Sequence, residues 1–141
     1  MTTQTAFNGY RVFLEGLTTD SIGELDLYVS EDVIFRDPLH DVAGSKAMQN
    51  LFTRLFDRVT SIDFRVDSHA VHDNLVFFRW SIAGTLSGSP WSVEGVTRLT
   101  FNSDGKVVEQ VEYWDVASQL YERFPIIGPL LRRLRARVAR D

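Results

Sequence analysis

The chain has 141 residues, 44% hydrophobic, 24% charged and 12% aromatic, with a net charge of −4 and no cysteine. These values describe one globular domain, and they exclude disulfides, thiolate zinc sites, iron–sulfur clusters and a cysteine nucleophile. Residues 129–141 hold five Arg and one acid, a charge of +4 that leaves −8 on the remainder, and so acidic a body argues against nucleic acid as a partner. The start of the chain has neither a basic stretch nor an apolar one, and no apolar run approaches the roughly 20 residues of a membrane span, so a cytoplasmic protein is expected.

Residues 6–17 place Ala6, Phe7, Tyr10, Phe13, Leu14 and Leu17 on one helical stripe. Thr18, Thr19 and Asp20 interrupt it. Ser21-Ile-Gly-Glu24 has capping-box spacing and predicts a second short helix to about Tyr28. Residues 33–37 read as a brief strand, closed by Pro38 because proline lacks a backbone donor. Gly44-Ser45 opens a third helix, with Ala47, Met48, Leu51, Phe52, Leu55 and Phe56 on one face.

Beyond Val59 the period becomes alternating. Ile62, Phe64 and Val66 form the apolar face of one strand, and Val76, Phe78, Trp80 and Ile82 that of the next, across a turn at Asp73-Asn74. A turn at Gly88-Ser89-Pro90 leads into a strand over 91–101. Asn102-Ser-Asp-Gly105 is a tight turn before a strand over 107–115. A helix over 116–124, a break at Pro125 and Gly128-Pro129, and a basic helix complete the order. Helices and strands are segregated, which is the pattern of an α+β fold. The expected architecture is a curved antiparallel sheet wrapped around three N-terminal helices, leaving an apolar pocket between them, with an extra helix at the C-terminus. The division expected is one domain over 1–128 and a basic amphipathic helix over 129–141.

Within that frame Asp37 has two readings: a poised acid or base beside an apolar cavity, or a residue that caps the turn at Pro38. His40 lies three residues on and could share a proton with Asp37. His69 and His72 point to opposite faces of one strand, so no metal site is expected. On the strand over 91–101, Val93, Gly95, Thr97, Leu99 and Phe101 share one face, opposite Glu94, Val96, Arg98 and Thr100. Trp80 is an aromatic wall candidate.

Several segments together resemble a known family. They are Tyr28-Val-Ser-Glu-Asp-Val-Ile-Phe-Arg-Asp-Pro38, Gly44, Trp91-Ser-Val-Glu-Gly95, Phe101-Asn-Ser-Asp-Gly-Lys-Val-Val108 and Tyr113-Trp-Asp115. In this order they resemble the NTF2-like superfamily, and within it the SnoaL-like and ketosteroid-isomerase-like proteins, over nearly the whole chain. The resemblance implies a cone-shaped fold that hosts isomerases, cyclases, epoxide hydrolases, dehydratases and non-catalytic binders. It implies a general base at Asp37. It places the isomerases' oxyanion-hole tyrosine at Phe13 and their aspartic acid near Thr97, so both donors are replaced here. The isomerase spacing turns Glu112 and Trp114 into the pocket, whereas the epoxide-hydrolase match brings Asp115 there. SnoaL-type cyclases suggest an Asp/His pair, for which His40 serves with Asp37 or Asp115.

The expectation is therefore an enzyme that binds a small apolar molecule. Asp37, His40 and Asp115 would carry acid–base chemistry, isomerisation, cyclisation, hydration or dehydration, without a metal or other cofactor. Phe13, Trp80, Thr97, Leu99, Glu112 and Trp114 would line the ligand. The alternative is a ligand-binding or assembly module without chemistry. The resemblance also implies a homodimer through the outer sheet face. In the tail, Leu130, Leu131, Leu134 and Val138 form a stripe with Arg on the other side. The tail reads as a helix over the pocket mouth or a partner subunit, or as a contact with an anionic membrane surface, with Ile126 and Ile127 as added anchors.

Overall fold

The computed structural model describes residues 1–119 and 127–140. Helix α1 spans Thr3–Glu15; the Thr2 hydroxyl accepts the Thr5 amide and so satisfies one of the free donors at its start. Its stripe buries Ala6, Phe7, Tyr10, Phe13 and Leu14, each large side chain contributing roughly 1.5–3 kcal/mol. The predicted second helix is a single 3₁₀ segment, Ile22–Leu27. Ser21 makes no capping bond to it; its hydroxyl instead accepts the Thr18 amide at 2.9 Å and closes the preceding turn.

Strand β1, Val29–Arg36, starts four residues earlier than its apolar pattern suggests. The Asp37 and His40 backbones exchange hydrogen bonds of 3.0 and 3.3 Å across Pro38-Leu39. This tight turn leads into β2, Asp41–Ala43, a strand too short for periodicity to announce. Helix α2, Ser45–Arg58, follows Gly44, whose φ of 100° favours glycine. Then come β3 (Val59–His72), β4 (Leu75–Leu86), β5 (Ser89–Phe101) and β6 (Val107–Tyr113). The turn between β4 and β5 is Ser87-Gly88, both at positive φ, so Pro90 lies inside β5, paired with Thr85. Helices α3, Val116–Gln119, and α4, Ile127–Ala139, follow. The expected helix over 116–124 is seen as far as Gln119; its remainder, Pro125 and Ile126 lie outside the described residues.

The six strands form one curved, unclosed sheet in the order β2-β1-β6-β5-β4-β3. It is not wholly antiparallel: β1 runs parallel to β6, with Phe35 beside Gln110 and Arg36 beside Val111. That pairing joins distant stretches of chain, and no local pattern encodes it. Burial alternates along β4 and β5 as period two requires, with Val76, Phe78, Trp80, Ile82, Val93, Thr97, Leu99 and Phe101 on the inner face. The core lies between this face and α1, the 3₁₀ helix and α2.

Candidate active site

Burial of the inner face is incomplete. A cavity of about 360 Å³ opens between the sheet and α1 and α2, a size that suits a small organic molecule. Its walls are mainly apolar, including Phe35, Phe52, Phe64, Trp80, Ile82 and Val93. Polar side chains also line it, Asp37 and His40 from the β1–β2 turn, Gln110 and Glu112 from β6 and Glu15 at the end of α1, while Arg54 and Arg58, one helical turn apart on α2, add positive charge. A second hollow, of about 290 Å³, shares Asp37, Glu112 and Trp114 with the first, where β6 runs on past the end of β1.

Asp37 does two things. Its Oδ1 accepts the Leu39 amide at 2.8 Å, which fixes the turn, and it lies 2.9 Å from His40 Nδ1. The Asp37 side chain is 13% exposed and that of His40 38%, so the pair runs from the cavity lining towards solvent.

Glu112 is held from behind. The buried Tyr10 hydroxyl donates to Gln110 Oε1 at 2.7 Å, and Gln110 Nε2 donates to Glu112 Oε1 at 2.9 Å. Each amide atom of Gln110 thus has one partner, and its orientation is fixed by the two. Burial pushes the Glu112 carboxyl up to about 7; the Asp37 charge adds to the rise, and the Gln110 bond opposes it. Burial, and then the Glu112 charge, also push the Tyr10 phenol well above its ordinary range, so Tyr10 stays a donor. Glu112 therefore exchanges its proton near neutrality, beside a second carboxyl group.

The other expected site residues divide. Trp80 and Trp114 line the cavity. The Trp80 indole donates to the Thr97 hydroxyl at 2.8 Å, so fully buried Thr97 holds the wall from outside the lining. Leu99 is buried in the core. Phe13 stacks on Tyr28 with ring centroids 4.6 Å apart and is not part of the lining. Asp115 is also placed elsewhere. β6 ends at Tyr113, and Asp115 caps α3, accepting from Ser118 Oγ at 2.6 Å and from the Ala117 amide at 3.1 Å. Those bonds, Ser118 foremost, hold its carboxyl below the usual range. Of the two C-terminal carboxylates the sequence leaves open, Glu112 is the one at the cavity.

Gln110 escapes the sequence reading, although the period that turns Glu112 inward also turns Gln110 inward. Arg54 and Arg58 escape it because their positions on α2 look like a solvated face. His69 has a structural place, against the Phe7 ring and Gln4.

Among solved structures, the fold matches an epoxide hydrolase of M. tuberculosis described as LEH-like, at 16% identity and a TM-score of 0.67, covering 99% of this chain and 96% of that one. AclR from Streptomyces galilaeus, a proposed hydroxylase, matches at 19% identity and a TM-score of 0.69, over 97% of this chain and 91% of that one. A proposed SnoaL-like polyketide cyclase from Jannaschia matches at 20% identity and a TM-score of 0.68, over 82% and 88%. At such identities the likeness is one of fold. No curated protein is significantly similar in sequence. The family model described as the SnoaL-like domain matches residues 10–110, a stretch that runs from Tyr10 to Gln110 and so takes in most of the cavity, and the chain belongs to that family.

Proposed function

We propose that the protein is an enzyme of acid–base chemistry on a small apolar molecule held in the cavity, with Asp37 as base and Glu112 as acid. The observation that supports this reading is the placement of two carboxyl groups, one from the β1–β2 turn and one from β6, on one apolar cavity, the second of them titrating near neutrality. Phe13 and Thr97 offer the cavity no oxyanion donor, but a protonated Glu112 does: Gln110 holds Oε1, and the other oxygen carries the proton. In an isomerisation, Asp37 takes a proton from carbon while Glu112 donates to the oxygen that gains charge. In hydration of an epoxide, Asp37 takes a proton from water and Glu112 gives one to the opening ring oxygen. His40 steadies Asp37 and links it to solvent. The M. tuberculosis fold neighbour named an epoxide hydrolase and the proposed cyclase fit the same class of proton transfers.

The test is turnover by the full chain of a panel of apolar epoxides and β,γ-unsaturated ketones, followed by mass spectrometry. Asp37→Asn and Glu112→Gln should each lower kcat by about 100-fold or more, the usual worth of a general acid or base, while ligand binding is retained. Tight ligands that leave unchanged across the panel, or an Asp37→Asn variant with full activity, would move the protein to the binding-module reading.

A further inference from the structure

Helix α4 presents its apolar stripe to solvent. Ile127, Leu130, Leu134 and Val138 recur at three and four residues and so share one side of the helix, yet they are 48%, 66%, 56% and 66% exposed. The helix meets the body through other positions: Gly128 is buried, and the charge of Arg135 reaches Asp115. A surface helix ordinarily turns such a stripe to the core.

Charge indicates the missing surface. Arg132, Arg133, Arg135, Arg137 and Arg140 all lie on this segment, and no acidic residue occurs from Ile127 to Arg140. A second copy of α4 laid on the stripe would bring two strongly basic helices together. An anionic bilayer accepts the stripe in its interface and the arginines at its phosphates. Thirteen residues of helix reach about 20 Å, short of the roughly 30 Å hydrocarbon core, and no helix among the described residues is long and apolar enough to cross a membrane. We propose that α4 docks the protein on an anionic phospholipid surface, lying in the plane of the interface with Leu130, Leu134 and Val138 immersed. The acidic body is repelled by the same surface, so contact is confined to this helix.

Sedimentation of the full chain with vesicles tests this. Vesicles of phosphatidylcholine mixed with phosphatidylglycerol should bind it at least about tenfold better than phosphatidylcholine alone, since one Arg near an anionic surface is worth about fivefold. Added salt should weaken the binding. Leu134→Glu, and separately Arg133→Gln with Arg137→Gln, should each reduce it on the order of tenfold. These side chains are exposed, so circular dichroism melts should stay unchanged and separate lost docking from lost fold. Equal partition into both vesicle types, or binding insensitive to Leu134→Glu, would overturn the proposal. So would a wild type that ignores vesicles and forms an oligomer that Leu134→Glu splits by light scattering, which would make a second copy the occupant.

Discussion

Glu112 holds its proton at a cost to stability. In the unfolded chain its carboxyl titrates near the ordinary 4.5, and in the folded protein near 7. Between these values the native state binds the extra proton, so stability falls as pH rises through that window, and the penalty is complete above it. The difference amounts to about 3 kcal/mol as an upper figure. Glu112→Gln keeps the shape and the acceptor for Gln110 and removes the charge. It should raise the stability measured by urea unfolding at pH 8 by about 1–3 kcal/mol and change it little at pH 5. A Gln variant no more stable than wild type at pH 8 would mean that the carboxyl is solvated. The same proton sets the pH dependence of catalysis: kcat/KM should fall tenfold per unit above about pH 7, as the acid is lost.

At the scale of elements, the cavity wall depends on a close approach between β4 and β5. Trp80 pairs with Gly95 across these strands. A Cβ on Gly95 would come within 2.7 Å of both the Trp80 ring and the Tyr113 carbonyl. The Tyr113 backbone cannot move without disturbing β6, so the ring must shift and strain its bond to Thr97. Gly95→Ala should therefore cost about 1–3 kcal/mol, as overpacked positions do, with an unchanged urea m-value and weaker binding of an apolar fluorescent probe; unaltered stability and probe affinity would show that the wall has room to give. This contact also marks the limit of the sequence. The stripes of α1 and α2 and the alternation of β4 and β5 are written in local spacing, and the alternation of β4 led to Trp80; Glu112 and Trp114 came from the family resemblance, whose spacing turns them into the pocket. The parallel β1–β6 pair is long-range, and β2 has three residues. Asp115 was left ambiguous because period two holds only while a strand lasts, and β6 ends two residues before it. Arg54 and Arg58 go unmarked in the sequence because the hollow they border exists only after the sheet has curved.

On the whole molecule, the sheet has a second face, and it carries its own apolar patch. Val96 and Tyr113 lie directly opposite each other on β5 and β6, and Phe77 on β4 is exposed nearby. Around them run ion pairs: Arg98 to Glu109 at 2.7 Å, Arg36 to the same carboxylate at 3.7 Å, and Arg79 to Glu94 at 3.5 Å. The Tyr113 side chain and Glu109 raise the Arg98 guanidinium further, so that charge is permanent and held in place. An apolar centre with charges of both signs at its rim is suited to an isologous contact, in which each positive group of one copy meets a negative group of the other. The family resemblance implies a homodimer through this face. We propose a dimer through this face: sedimentation velocity should give a dimer that Val96→Lys converts to a monomer, because lysine replaces an apolar side chain of the patch with a charge that such a contact would bury. The variant should keep its thermal melt at high protein dilution, since Val96 contributes to no buried cluster of the single chain. A monomeric wild type, or a Val96→Lys dimer, would remove the outer face from consideration and leave the patch as an ordinary exposed one.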